Sequence, residues 1–162
     1  MNLAKATDAH TSTSSIVVSF DSKWHKLLLD GKIRAFVRRR GPTKFVPEWV
    51  YAYINSPVSA LVAKLPVTHF EWRRGFDAKL CDDAALQPQE MRFYTGDANY
   101  AAFRVGSPCF ARPQISLKEL QATFGFVPPQ SFFIVSIDGR RRLDSLGSFL
   151  NLSDKRLRMR AE

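Results

Sequence analysis

The thirteen residues KIRAFVRRRGPTK at positions 32–44 contain six basic side chains and no acid. As a β-strand over 33–40, this segment alternates its side chains between two faces. Ile33, Ala35 and Val37 then point to a core, and Arg34, Phe36, Arg38 and Arg40 point the other way. The second face is a cationic stripe with an aromatic ring in it. Guanidinium forks match phosphate oxygens, and a ring stacks on a base, so the pattern is that of a nucleic-acid or nucleotide site. Lys32, Arg39 and Lys44 extend the positive charge. The competing reading is a solvated edge strand that its charges protect from aggregation.

The segments on either side read as more strands with short helices between them. Residues 15–20 (SIVVSF) are rich in β-branched side chains and predict a first buried strand. Asp21 is a helix N-cap, Trp24, Leu27 and Leu28 share one helical face, and Gly31 stands where a left-handed C-cap is needed, which predicts an amphipathic helix over 22–30. After the Gly41-Pro42 loop, residues 49–54 (WVYAYI) predict a strand. Residues 55–57 form a turn, and 58–72 continue as strand with a break or bulge at Pro66. Two short helices fit 73–96. Residues 99–110 (NYAAFRVGSPCF) read as strand weakened at Gly106. Ser116 with Glu119 makes a capping box, and Ile115 with Leu120 a hydrophobic staple, which sets a helix at 117–123. Pro128-Pro129 ends that region and 131–137 (SFFIVSI) give a last strand. Strands do not alternate regularly with long helices, so a doubly wound parallel sheet is excluded. The expected class is α+β, a small, mostly antiparallel barrel with covering helices.

The chain has 162 residues, 45% hydrophobic, which is enough for one domain with a real core. Its formal net charge is +9. Summed positive potential concentrates polyanions near the surface, so the expected partner is RNA or another single-stranded nucleic acid. The basic residues cluster at 32–44, at Arg140, Arg141 and Arg142, and at 155–160, where Lys155, Arg156, Arg158 and Arg160 surround Leu157 and Met159. Cys81 and Cys109 lack the spacing of a metal site, and no metal or cofactor is expected. Absence of a long apolar stretch or a signal-like leader makes the expected location cytoplasmic, with no membrane contact. Residues 1–14 read as a disordered leader, 15–137 as the domain, and 138–162 as a basic C-terminal extension.

Four segments, in this order, resemble the ASCH domain family, a branch of the PUA-like barrels. They are Ser19-Phe20 with the helix to Gly31, the strand end Arg38-Arg39-Arg40, residues 50–58 (VYAYINSPV) followed by 60–62 (ALV), and 115–120 (ISLKEL) leading to 128–132 (PPQSF). The resemblance spans about 15–133 and fits poorly over 73–96. It implies a pseudo-barrel with a cleft beside the first helix, the run Gln130-Ser131 near that cleft, and a role in binding RNA or a nucleoside. Some family members hydrolyse acetylated cytidine with a lysine, a threonine and a glutamate. Aligned through Gly31 and the arginines, this chain has Ile33 in place of that lysine, then Arg34, and Phe36 at the later position. Lys32 is one residue away, and a register shift that rescued it would move its neighbours to opposite faces.

Hydrolysis needs a nucleophile, a base and an oxyanion donor. Lys32, Glu71 and Ser131 are the weak catalytic candidates, with no spacing that binds them together. Ser56 lies in a turn, where serines commonly bond the local backbone. Gln130 can read a base edge with both a donor and an acceptor. His25 and His69 have no identifiable partner for proton transfer, and Trp24 reads as core. Tyr51 and Tyr53 share one strand face. Phosphate loops, dinucleotide fingerprints and the KH and RNP signatures are missing.

The expected function is therefore RNA binding in RNA metabolism or regulation, through Lys32, Arg34, Phe36, Arg38, Arg39, Arg40, Lys44, Ser56, Gln130 and Ser131. A ribonuclease or modified-nucleoside amidohydrolase in the same cleft is the enzyme alternative. A module that docks an acidic protein partner is the third.

Overall fold

The computed structural model describes residues 14–128 and 132–151. The first strand, β1 (Ser15–Phe20), ends at Asp21, whose carboxylate accepts the Lys23 N–H at 3.0 Å and caps a short 3-10 turn, Ser22–Trp24. Helix α1 (His25–Leu29) follows and ends at Gly31, which has a φ of +68°. Only glycine takes that conformation without penalty, and it turns the chain into β2 (Ala35–Arg38).

Strands β3 (Trp49–Ile54) and β4 (Ala60–Arg73) form the middle of the sheet. Helices α2 (Ala78–Asp83) and α3 (Pro88–Thr95) fill the region expected to hold two short helices. Strands β5 (Tyr100–Val105) and β6 (Cys109–Ser116) pair with successive stretches of β4. The sequence reading joined the first of these to the start of the second as one strand weakened at Gly106. The chain breaks there, and the Gly106 N–H donates to the Pro66 carbonyl at 2.9 Å. A Cβ at Gly106 would stand 2.9 Å from Pro66 Cγ, so this crossing requires glycine. Pro66 sits inside β4, and the bulge next to it falls between Val67 and His69.

The capping box at Ser116 forms as read, with Ser116 Oγ accepting the Glu119 N–H at 3.2 Å and Glu119 Oε2 accepting the Ser116 N–H at 3.0 Å. It starts α4 (Leu117–Phe124). The remaining elements are β7 (Phe133–Val135), α5 (Ile137–Leu146) and β8 (Ser148–Asn151). The residues just after 137, expected to begin a basic extension, thus form a helix and a strand, and β8 pairs with β6.

Strand order is β2-β5-β4-β3-β1-β7, with β6 on β4 and β8 on β6. The β1–β3 pair is parallel and the other pairings are antiparallel. The class is α+β, with a mixed, mostly antiparallel sheet and several helices. Among the described residues no pairing joins β2 to β7. Alternation sorts the strands into distinct apolar clusters. Ile16, Val18 and Phe20 join Val50, Ala52, Ile54, Phe36 and Phe103 in the largest one. Val17, Tyr51, Tyr53 and Leu61 face the other way, against Leu120 of α4 and Leu143 of α5. A third cluster sets Ala35 and Val37 of β2 under Leu80, Cys81 and Met91 of α2 and α3.

The third cluster bears out Ala35 and Val37 as a core face, and the largest cluster corrects the rest of the two-faced reading of 33–40. The strand is shorter than expected, and both of its faces are covered. Ala35 and Val37 do point to apolar surroundings, but Ile33 packs in the largest cluster, alongside Phe36. Phe36 is only 4% exposed, so it is not part of a solvent-facing stripe. The cause is tertiary: α2 and α3 cover the Ala35 and Val37 face, while Phe20 of β1 and Phe103 of β5 pack on Phe36 from the other.

Candidate functional site

A cavity of about 510 Å³ opens between the end of β1 with its 3-10 turn, strand β2, and the segment carrying α2 and α3. That volume suits a small organic ligand. Its aromatic lining comes from Phe20, Trp24, Phe36, Phe93 and Tyr94, and its polar lining from Ser19, Asp21, Arg38, Arg39 and Arg40. Phe36 is held rigid by an almost parallel stack on Phe103, with centroids 4.5 Å apart, and by an edge contact with Phe20 at 5.5 Å.

Arg38 is the chemical centre of this cavity. Its guanidinium lies 4.8 Å from the Phe20 ring and 5.2 Å from the Phe36 ring. It donates to the Val37 carbonyl at 2.8 Å and to the Ser19 carbonyl at 3.1 Å. Burial draws its pKa down from 12.5 to about 10, so the group is still a cation at neutral pH. Among the described residues no carboxylate lies within ion-pair distance of it. Two of its five N–H donors are used, and the others remain for a ligand. The Ser19 hydroxyl, on the opposite face of β1 from Phe20, is buried with no hydrogen-bond partner among the described residues.

Arg39 and Arg40 follow on the exposed rim. Arg39 donates to the Tyr94 carbonyl at 3.1 Å and to the Phe93 carbonyl, both at the end of α3. A cation is favoured at a helix C-terminus, so this contact fixes the helix against the strand. The Arg39 guanidinium also lies 5.6 Å from the Phe93 ring.

The other residues expected at a site fall as follows. Lys32, Arg34 and Lys44 are exposed and do not line the cavity. Ser56 is exposed in the turn after β3, also outside it. Gln130 and Ser131, like the basic residues of 155–160, lie outside the described residues. Glu71 sits on β4 between Arg73 at 3.0 Å and His69 at 3.4 Å, away from the cavity, and its hydrogen bond from Arg73 is the main cause of a lowered pKa. Lys32 and Glu71 are therefore not brought together at the cavity. His25 Nε2 is buried with no partner among the described residues and is not on the cavity wall. Trp24, expected in the core, packs against it half-buried and also lines the cavity.

Tyr51 and Tyr53 share a face, as alternation requires, but both are buried on the far side of the sheet. The Tyr51 hydroxyl donates to Asp144 at 3.1 Å; burial, then the Asp144 charge, push its pKa far upward. Lys64 reaches the same carboxylate at 3.4 Å. This network ties α5 to the sheet.

Sequence reading missed Asp21 as a cavity residue, and Phe93 and Tyr94 entirely. The latter two lie in the stretch where the family resemblance was poorest. The local signal was two adjacent rings, Phe93 and Tyr94, in a short helix, of which Phe93 is exposed and Tyr94 packs on the third cluster.

Among the described residues no group of three or more His, Cys, Asp or Glu side chains could hold a metal ion. Cys81 and Cys109 are free thiols. No helix among the described residues is long and apolar enough to cross a membrane.

No family model and no curated protein matches the sequence. Solved structures do match. The structure of ASCH from Zymomonas mobilis superposes with a TM-score of 0.72 at 25% identity, covering 84% of this chain and 97% of that one. A Ser-to-Ala variant and a Tyr-to-Phe variant of that protein each give a TM-score of 0.71 at 24% identity over 83% of this chain. They are covered over 96% and 99% of their own lengths. With the sheet order, the covering helices and the cavity beside the first helix, these matches show that the chain has the fold of the ASCH-domain proteins over more than four-fifths of its length.

Proposed function

We propose that the cavity takes one nucleotide of a single-stranded RNA, with the base against the Phe20, Phe36 and Tyr94 wall and the backbone phosphates on Arg39 and Arg40 at the rim. The observation that carries this reading is Arg38, a half-buried cation held by two carbonyls, with no carboxylate within ion-pair distance among the described residues. A charge in apolar surroundings without a counterion favours a ligand rich in acceptors. The carbonyl oxygens and ring nitrogens of a nucleobase are such acceptors. Exposed Lys32, Arg34 and Lys44 and the net charge of +9 add a screened attraction for the strand.

Binding is favoured over hydrolysis because the described lining holds neither histidine nor lysine and has Asp21 as its one carboxylate. Asp21 already caps the 3-10 turn. A general acid and base pair needs two such groups within reach of the same bond.

The test is a fluorescence-anisotropy titration of a labelled single-stranded RNA at two salt concentrations, with duplex DNA as competitor, followed by a gel of the recovered RNA. Two to four phosphate contacts give a slope of log affinity against log salt of about −1.5 to −3. Salt-sensitive binding with intact RNA supports the proposal. Cleaved RNA transfers the argument to the hydrolase alternative, and an absence of binding refutes it.

A further inference from the structure

A second ring and arginine pair lies next to the one at the cavity mouth, its arginine on α3 and its ring in the segment between β4 and α2. Phe93 is 71% exposed and lines the cavity, its ring 5.6 Å from that of Tyr94 and under the Arg39 guanidinium. One residue earlier, about 100° around the helix, Arg92 holds its guanidinium 5.5 Å from the ring of Phe76, which is 45% exposed. Phe76 and Arg92 do not line the cavity.

Neither Arg39 nor Arg92 has a carboxylate within ion-pair distance among the described residues, and of the acids close by in the chain Glu90 of α3 pairs with Lys23 and Asp77 with Arg73. Large exposed rings are costly to leave in water, and each of these two has an arginine guanidinium against it. A ring offers a stacking face to any base, and a guanidinium beside it offers a phosphate contact. A strand is favoured over an acidic peptide because the two pairs continue the nucleotide site, Phe93 lining the cavity itself.

We infer that α3, with Arg39 after β2 and Phe76 before α2, forms a track for the nucleotides flanking the one in the cavity, with Phe93 and Arg39 as the first station and Phe76 and Arg92 as the second. The ligand is then an oligonucleotide strand and not a free nucleoside or mononucleotide. This rests on the nucleotide reading of the cavity and adds to it the length of the ligand and the side from which the strand leaves.

The test is calorimetric titration of the full chain with each of the four nucleoside 5′-monophosphates and with the corresponding RNA tetranucleotides. The wild-type protein is expected to bind its preferred tetranucleotide at least about tenfold tighter than the matching monophosphate. Phe76→Ala and Arg92→Gln are each expected to weaken the tetranucleotide several-fold to about tenfold and to leave the monophosphate unchanged. Both side chains are exposed, and thermal melts of the two variants verify the fold. Equal affinity for monomer and tetramer, or a Phe76→Ala effect on both ligands alike, overturns the track and leaves the cavity reading intact. Failure of the wild-type protein to bind any of the eight ligands removes both.

Discussion

Replacing Arg38 by Met separates the demands of ligand binding from those of folding. The methionine side chain is of similar length and carries no charge. In the unliganded protein, burial lowers the arginine pKa from 12.5 to about 10. At about 1.4 kcal/mol per unit, holding this charge in the cavity costs about 3 kcal/mol. Against that stand its bonds to the Val37 and Ser19 carbonyls, each charge-assisted and contributing about 1.5–3 kcal/mol. The two bonds together contribute about 3–6 kcal/mol against that cost, so Arg38→Met should lower stability by no more than about 3 kcal/mol, a Tm shift of at most about 6–12 °C for a chain of this size. Binding has no such compensation. Removing one partner of a desolvated, hydrogen-bonded charge contact costs about 2–5 kcal/mol, which is roughly 30-fold to several thousand-fold in Kd. Calorimetric melting gives the first number and anisotropy with labelled single-stranded RNA the second. Arg38→Lys keeps the charge without the fork, and it should lose at least about tenfold in affinity. If Arg38→Met melts far lower yet binds RNA within about threefold of wild type, Arg38 is a clamp between β1 and β2, and the reasoning about the cavity fails.

Gly106→Ala forces a Cβ to within 2.9 Å of Pro66 Cγ, and overpacking of this kind should destabilise by about 1–3 kcal/mol; an unchanged urea midpoint would refute the close crossing. The Asp77 carboxylate, bonded first by the Leu80 N–H and paired with Arg73, has a pKa below the ordinary value of 3.8. The unfolded chain therefore takes up its proton first as pH falls, so the stabilisation is complete above the ordinary carboxylate range and is lost as pH drops through the folded value. Urea melts between pH 6 and pH 3 should show this loss, and Asp77→Asn, which keeps an acceptor for the cap, should flatten it; parallel curves would count against the assignment. Burial pushes the Cys81 thiol up, and at 2% exposure it should resist alkylation under native conditions while the more exposed Cys109 reacts first; equal rates would contradict the packing of α2 on β2.

Much of the fold could be read from local chemistry. The strand at Trp49–Ile54 was bounded correctly because a run of aromatic and branched residues ends at an Asn-Ser-Pro turn. Helix α4 was found from Ser116 and Glu119, which act on each other across three residues. Arg38 and Phe36 were placed on one side of the strand by alternation, and they do face each other. What alternation could not supply was what lies opposite. Ile33 left the face assigned to it because the strand starts two residues later, and Phe36 became interior because β5 supplies Phe103 to stack on it. Phe93 and Tyr94 reach the cavity through the packing of α3 on β2, a long-range contact with no periodic signature. Asp21 was read as a cap, which it is; its second position on the cavity wall follows only from the path of β2.

The place of β1 has a consequence for the order in which the molecule can be completed. It lies between β3, its parallel neighbour, and β7, where Val17 pairs with Phe133. During synthesis β1 leaves the ribosome with both flanks unpaired, and the second flank stays so until β7 has followed more than a hundred residues later. Throughout that interval the apolar SIVVSF segment is an open template for pairing with another nascent chain. Pairings of such long sequence separation also form late in folding, since the loop they close must be restricted before the contact is gained. The step that seals β1 is therefore the docking of β7, and the time the chain spends vulnerable to aggregation is set at the opposite end of the domain from the strand that is exposed.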